Sequence, residues 1–146
     1  MYNKDVKKAA YSLLSRREHS AKELKEKLVL REYQVADIEP VLSALAEQDI
    51  QSDLRFGESL LRTRLTKGYG WSYICAELKQ KGLASDIIAQ VEQTQSIDWF
   101  EQAKNAYQKR FPDPKIYDQK DKAKRIRFLQ YRGFDFEQIS AALNLD

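Results

Sequence analysis

Positions about fifty residues apart in this chain carry matching apolar side chains in register: Leu24 with Ile74, Leu28 with Leu78, Tyr33 with Leu83, Ile38 with Ile88 and Val41 with Val91. A later stretch continues the alignment, pairing Gly133-Phe134 with Gly82-Leu83 and Ile139 with Ile88. Self-similarity at such a period marks tandem supersecondary units, each too small to bury a comfortable core alone. The expectation is an all-α protein of three tandem three-helix repeats over residues 1–51, 52–97 and 98–146. Repeats that lean on their neighbours predict an elongated, curved, solenoid-like arrangement.

Helical spacing recurs inside each unit. Val6, Ala9, Ala10 and Leu13 share one face, as do Ile38, Val41, Leu42 and Leu45 in the third helix of the first unit. In the middle unit Phe56, Leu60, Leu61 and Leu65 form such a face, followed by Trp71, Ile74, Cys75 and Leu78, then Ile87, Ile88 and Val91. In the last unit Phe100, Ala103, Ala106 and Tyr107 precede a helix carrying Ile126, Phe128 and Leu129.

Helix boundaries are written in the polar residues. Ser20 with Glu23, Asp98 with Glu101 and Asp135 with Gln138 have capping-box spacing, and Asp53 and Ser85 are placed to cap further helices. Pro40 belongs in the first turns of its helix, and Pro112 and Pro114 end the one before them. Gly68 and Gly70 make a corner between two helices, while Gly82 and Gly133 stop helices at the left-handed position that follows the last turn.

Several kinds of chemistry find no support in this pattern. The Gly68–Gly70 pair lacks the spacing and the preceding strand of a phosphate loop. One histidine, His19, and one cysteine, Cys75, do not make a zinc site or a catalytic triad, so no metal, cofactor or catalytic residue is expected. Cys75 reads as a small core residue, and Trp71 shares its face. A single cysteine excludes an internal disulfide, and neither a leader nor a spanning segment is evident; cytoplasmic residence is expected. The net charge is only +3, below what a protein living by duplex binding alone would carry. No heptad seam argues for a coiled coil, and a monomer is expected.

The informative polar residues are the cations and two tyrosines. Lys120, Lys124, Arg127 and Tyr131 fall along one line of a helix. Arg125 and Arg132 lie off it, nearer Phe128. In the middle unit Arg55 and Arg62 share the outer side of the first helix, and Lys67, Lys79 and Lys81 surround the glycine corner and the helix after it. Tyr69 and Tyr73 lie outside the apolar face. Such residues are either a solvated surface or a partner interface, which favours tyrosine and arginine.

The ordered set Asp53-Leu-Arg-Phe56, Arg64-Leu-Thr-Lys-Gly-Tyr-Gly70, Ile74 and Glu77-Leu-Lys-Gln-Lys-Gly82 resembles the RecX family of bacterial regulatory proteins. Ser20 to Leu28 and Gly133 to Ile139 are similar to the family's first and third repeats. The chain departs from that pattern at three places. Gly57 replaces alanine at a local helix cost of up to about 1 kcal/mol. Arg31-Glu32 replaces a Lys-Gly-like ending, predicting a looser corner, and Tyr73 stands where a basic side chain is frequent.

The resemblance implies a regulator that binds the filament RecA forms on single-stranded DNA and restrains its ATPase, strand-exchange and co-protease activities. The basic residues and tyrosines above would then meet acidic RecA surface or DNA phosphates, with weak direct contact to single- or double-stranded DNA. Three short helices with a glycine corner also fit a helix-turn-helix-like DNA-binding module, and an adaptor for another helical partner is a third reading. Steep weakening by salt would mark the DNA-binding case.

Overall fold

A computed structural model describes residues 2–145. Among the described residues the chain forms nine helices and no strand: α1 (Lys4–Arg16), α2 (Ala21–Leu30), α3 (Val35–Glu47), α4 (Asp53–Thr66), α5 (Trp71–Gln80), α6 (Ser85–Gln93), α7 (Trp99–Arg110), α8 (Gln119–Tyr131) and α9 (Phe136–Leu143). They pack as two compact units. One comprises the residues up to Ser59 together with Leu78–Glu92; the other comprises Leu60–Glu77 together with the residues from Gln93 on.

In the first unit the stripes of α1, α2 and α3 meet. Val6, Ala10 and Leu13 pack with Leu24, Leu28, Ile38, Val41 and Leu45, all at most 5% exposed. Full burial of each large apolar side chain contributes on the order of 2 kcal/mol, so this shared core holds three helices that separately would be marginal. Ser20 and Glu23 form the complete capping box. Pro40 is the sixth residue of α3 and is exposed.

Two expected caps are corrected. Asp53 is the first residue of α4, not its cap: Ser52 accepts from the Arg55 amide at 3.2 Å and holds the first turn. The Asp53 carboxylate instead accepts from the Ala21 amide at the start of α2, 3.0 Å away, and from the Gln51 side chain. A negative charge there suits the positive end of α2 as well as it would suit α4. Ser85 likewise is the first helical residue, with the carbonyl of Ala84 accepting the first helical bond.

Gly57 lies inside α4 at a point of close packing. A Cβ there would stand 2.5 Å from Val91 Cγ2 and 3.0 Å from Leu83 Cδ2, so glycine lets this part of α4 approach α6. The propensity cost anticipated from sequence is offset by that approach.

The second unit is centred on α7 and α9, whose Ala103, Tyr107, Ile139 and Leu143 pack with Leu129 and Phe111. Phe100 was expected on this face but is 48% exposed, so the inward stripe of α7 begins at Ala103. Trp71 is half-buried, its ring 6.1 Å from that of Trp99, and Cys75 is half-buried too. Asp98 caps α7 through the Glu101 amide, and Asp135 with Gln138 completes the box of α9.

The helices α2, α5 and α8 end the same way. The amides of Tyr33, Leu83 and Phe134 reach back to the carbonyls of Leu28, Leu78 and Leu129 at 3.3, 3.2 and 3.1 Å, closing Schellman motifs. The left-handed residues of these closures are Glu32, Gly82 and Gly133, with φ of 70°, 89° and 95°. The looser first corner expected from Arg31-Glu32 is therefore not found; the repeat keeps its geometry and Glu32 carries the strain. A side chain there costs about 1–2 kcal/mol. Glu32→Gly should raise stability by about 0.5–1 kcal/mol, net of the added freedom of the unfolded chain, as measured by urea denaturation. A fall in stability would mean that Glu32 is held by contacts stronger than its strain.

Candidate functional site

The candidate residues divide by how firmly the fold holds them. Arg55 donates to Glu18 at 2.7 Å, pairs with Asp49 at 3.0 Å, and caps the carbonyls of Asp49 and Ile50. Its hydrogen bond to Glu18 and the neighbouring carboxylates raise its pKa further. Lys81 reaches the buried Glu23 at 3.3 Å. Both cations tie together parts of the first unit.

Glu23 is the centre of a polar cluster. It accepts from both terminal nitrogens of Arg17 at 3.1 and 2.9 Å and from the Ser20 amide. Burial pushes its pKa up, but the hydrogen bonds from Arg17 and Ser20 outweigh it and hold the carboxyl at about 2. Behind it lies His19, only 2% exposed, with Nδ1 3.0 Å from the Arg17 carbonyl and Nε2 2.8 Å from Lys27 Nζ. Burial lowers the His19 pKa, the hydrogen bond to the Arg17 carbonyl opposes it and the Arg17 and Lys27 charges lower it further; the lysine ammonium beside Nε2 can only donate, so that nitrogen accepts. His19 directly precedes the Ser20 cap, and no local sequence pattern marks its burial. The cluster is a joint within the first unit.

A second group faces outward. Lys120, Lys124, Arg127 and Tyr131 are all exposed along α8, Tyr131 to 75%. Arg62, Lys67 and Lys79 are exposed as well. Tyr69 and Tyr73 are half-buried and stacked, with ring centroids 4.1 Å apart. Beside them Arg64 grips Glu77 through two bonds of 2.7 Å. Arg125, which the sequence placed off the stripe, is buried and points into the second unit.

The structure also assembles cations that the sequence did not bring together. In the second unit the corner of α4 and α5 packs with α7 and α8 around a groove of about 500 Å³. Lys67, Lys109, Arg110 and Arg132 stand around it, and Leu65, Ala106 and Phe128 line it. Arg132 donates to the Lys67 carbonyl and lies over the Tyr69 ring at 4.7 Å and the Phe128 ring at 5.0 Å. Arg110 covers Phe111 at 4.7 Å. The available sequence signal was Lys109-Arg110 in the last turn of α7, just before the helix-ending Phe111-Pro112.

Among the described residues there is no group of three or more His, Cys, Asp or Glu able to hold a metal ion. No helix among them is long and apolar enough to cross a membrane. Fold and surface together define an all-helical repeat protein whose polar chemistry consists of structural joints and outward cations. The family models for the first, second and third three-helix domains of RecX match residues 7–45, 52–91 and 96–143 in order. The chain belongs to the RecX family.

Among relatives named regulatory protein RecX, that of Vibrio parahaemolyticus serotype O3:K6 is 45% identical over 140 residues, covering 96% of this chain and 90% of the relative. That of Halorhodospira halophila is 38% identical over 137 residues, covering 94% and 85%. The crystal structure of RecX from Lactobacillus salivarius superimposes with a TM-score of 0.78 at 21% identity, covering 97% of this chain and 95% of that one. At that identity the likeness speaks for the fold.

Proposed function

We propose that this chain is a non-catalytic, cytoplasmic regulator that acts as a monomer on the RecA filament formed on single-stranded DNA, restraining RecA's ATPase, strand-exchange and co-protease activities. The observation that carries the reading is the ordered match of all three family domains across residues 7–143. A chain of repeated helical domains suits a partner that is itself a helical repeat. Contacts from successive units, each weak, add up through effective concentration.

The contacting side chains in this reading are chiefly Arg62, Lys67, Lys79 and the α8 stripe of Lys120, Lys124, Arg127 and Tyr131, which are exposed. Arg55 and Lys81 contribute less, because Glu18, Asp49 and Glu23 already hold them. Tyr69 and Tyr73 offer a stacked pair beside Lys67.

In a RecA ATPase assay on single-stranded DNA, stoichiometric amounts of this protein should slow hydrolysis. The charge reversals Lys124→Glu with Arg127→Glu should raise the concentration for half-inhibition roughly tenfold with helicity unchanged, and so should Arg62→Glu with Lys67→Glu. Inhibition untouched by both pairs would discard these residues as the interface. An absence of inhibition by the unaltered protein would discard RecA regulation itself.

A further inference from the structure

The groove of the second unit has features that an ordinary solvated face lacks. Its charged lining residues are Lys67, Lys109, Arg110 and Arg132, with no carboxylate among them. By contrast, five cations of the joints are neutralised locally: Arg17, Arg55, Arg64, Lys81 and Arg125 each meet an Asp or Glu within 3.3 Å. Four uncompensated cations around one concavity focus a positive potential there.

Two of the four are also positioned in advance. Arg132 is fixed by the Lys67 carbonyl and by the Tyr69 and Phe128 rings. Arg110 is laid across Phe111, with Phe128 6.0 Å away. A guanidinium stacked on a ring has lost rotamer freedom before any ligand arrives, and its planar fork matches a carboxylate in two-point geometry. Between these cations the lining has an apolar part, half-buried Leu65 and Phe128 and the buried Ala106, beside the polar Thr66, Gln102 and Asn105.

We infer that this groove is a docking site for an acidic peptide segment of a partner protein, with aspartates or glutamates at the cations and small apolar side chains on the apolar part. Charge complementarity selects the acid. The apolar part selects peptide over a nucleic-acid strand, because strand binding relies on open aromatic faces for the bases. The one aromatic ring lining the groove, Phe128, is crowded by Arg110, Arg132 and an edge contact with Phe111 at 5.6 Å. The volume of about 500 Å³ falls in the range of ligand clefts and suits a few side chains. Peptide docking here goes beyond filament regulation and does not depend on it.

The test uses the full chain and fluorescence anisotropy at low salt. The probe is a labelled peptide of aspartates and glutamates interrupted by leucines, set against its asparagine and glutamine counterpart. The acidic peptide should bind at least tenfold more tightly than the amide peptide. Lys109→Glu should weaken it roughly tenfold and Arg110→Gln similarly, whereas Lys120→Glu on the far part of α8 should change it less than twofold. Because Lys109 is exposed, its reversal should leave the thermal unfolding curve unchanged, which keeps the result free of folding effects. No difference between the two peptides, or acidic-peptide binding indifferent to Lys109→Glu, would overturn the inference. So would displacement of the peptide by a thymidylate oligonucleotide at lower concentration than by unlabelled peptide, which would assign the groove to nucleic acid.

Discussion

Gly133→Ala should destabilise the second unit by roughly 3 kcal/mol or more, and Gly70→Ala by about 1–3 kcal/mol, from crowding without the left-handed cost. At Gly133, φ is +95° and an added Cβ would run into the backbone nitrogen of Tyr73 and stand 2.6 Å from its Cβ. The left-handed cost of about 1–2 kcal/mol adds to an overpacking cost of about 1–3 kcal/mol. Gly70 has no positive φ; its Cβ would stand 2.6 Å from the carbonyl oxygen of Gly133. The two corners interlock backbone to backbone: the Gly70 amide donates to the Arg132 carbonyl at 2.7 Å and the Ser72 amide to the Gly133 carbonyl at 3.2 Å.

Urea denaturation followed by fluorescence of Trp71 and Trp99, which sit in this unit, should report the loss. Gly82→Ala is the control. Its φ of +89° is nearly the same, but the added Cβ would meet no backbone atom, only the Lys22 side chain, with Cβ at 2.8 Å and Cδ at 2.9 Å. Beyond the left-handed cost of about 1–2 kcal/mol it has only that contact to relieve, so it should cost less than Gly133→Ala. Equal losses at Gly82 and Gly133 would show that only φ matters and that the interlock contributes nothing.

These glycines also show which parts of the molecule can be read without coordinates. A helix stop is a local property, so Gly82 and Gly133 were legible as stops, and the stripes of α1 and α3 followed from a period of 3.6 residues. The second role of Gly70 and Gly133, letting two corners touch backbone to backbone, depends on residues sixty positions away and leaves no local trace. Asp53 is similar. Its residue type announces a cap, but only the fold reveals that the capped helix is α2. Glu32 erred in the opposite direction: the residue type argued for a looser corner, and the Schellman closure prevailed over the preference of one side chain.

The candidate surface was legible to the extent that its cations sit on one helix. Lys120, Lys124 and Arg127 follow helical spacing and are all exposed. The groove cations come from three separate stretches, the α4–α5 corner, the end of α7 and the end of α8, and no periodicity connects them. Which cations are engaged in joints was likewise hidden, since Arg55 finds Glu18 across thirty-seven positions and Lys81 finds Glu23 across fifty-eight.

Arg125 is the sharpest case, and Arg125→Met should cost about 3–5 kcal/mol. It looks like one more basic residue of α8, yet only 4% of it is exposed. Its guanidinium donates to the Tyr107 hydroxyl at 2.7 Å, the Asp113 and Lys115 carbonyls at 2.8 Å each, and Asp121 at 3.1 Å, with the Phe111 ring 4.9 Å away. These bonds fasten the proline segment after α7 to α8, the helix that carries the outward stripe. Methionine keeps much of the volume and tolerates the aromatic neighbours, but it leaves the hydroxyl, two carbonyls and a carboxylate without their donor. Lys124→Met, one residue away and exposed, should stay within about 0.5 kcal/mol. A loss below about 1 kcal/mol for Arg125→Met in urea denaturation would mean that water replaces the guanidinium at little cost. The pair also separates support from contact at the α8 surface. If that stripe meets the partner, Arg125→Met should lose RecA inhibition in step with its unfolded fraction and regain it on cooling, whereas Lys124→Glu should lose inhibition at every temperature while fully folded.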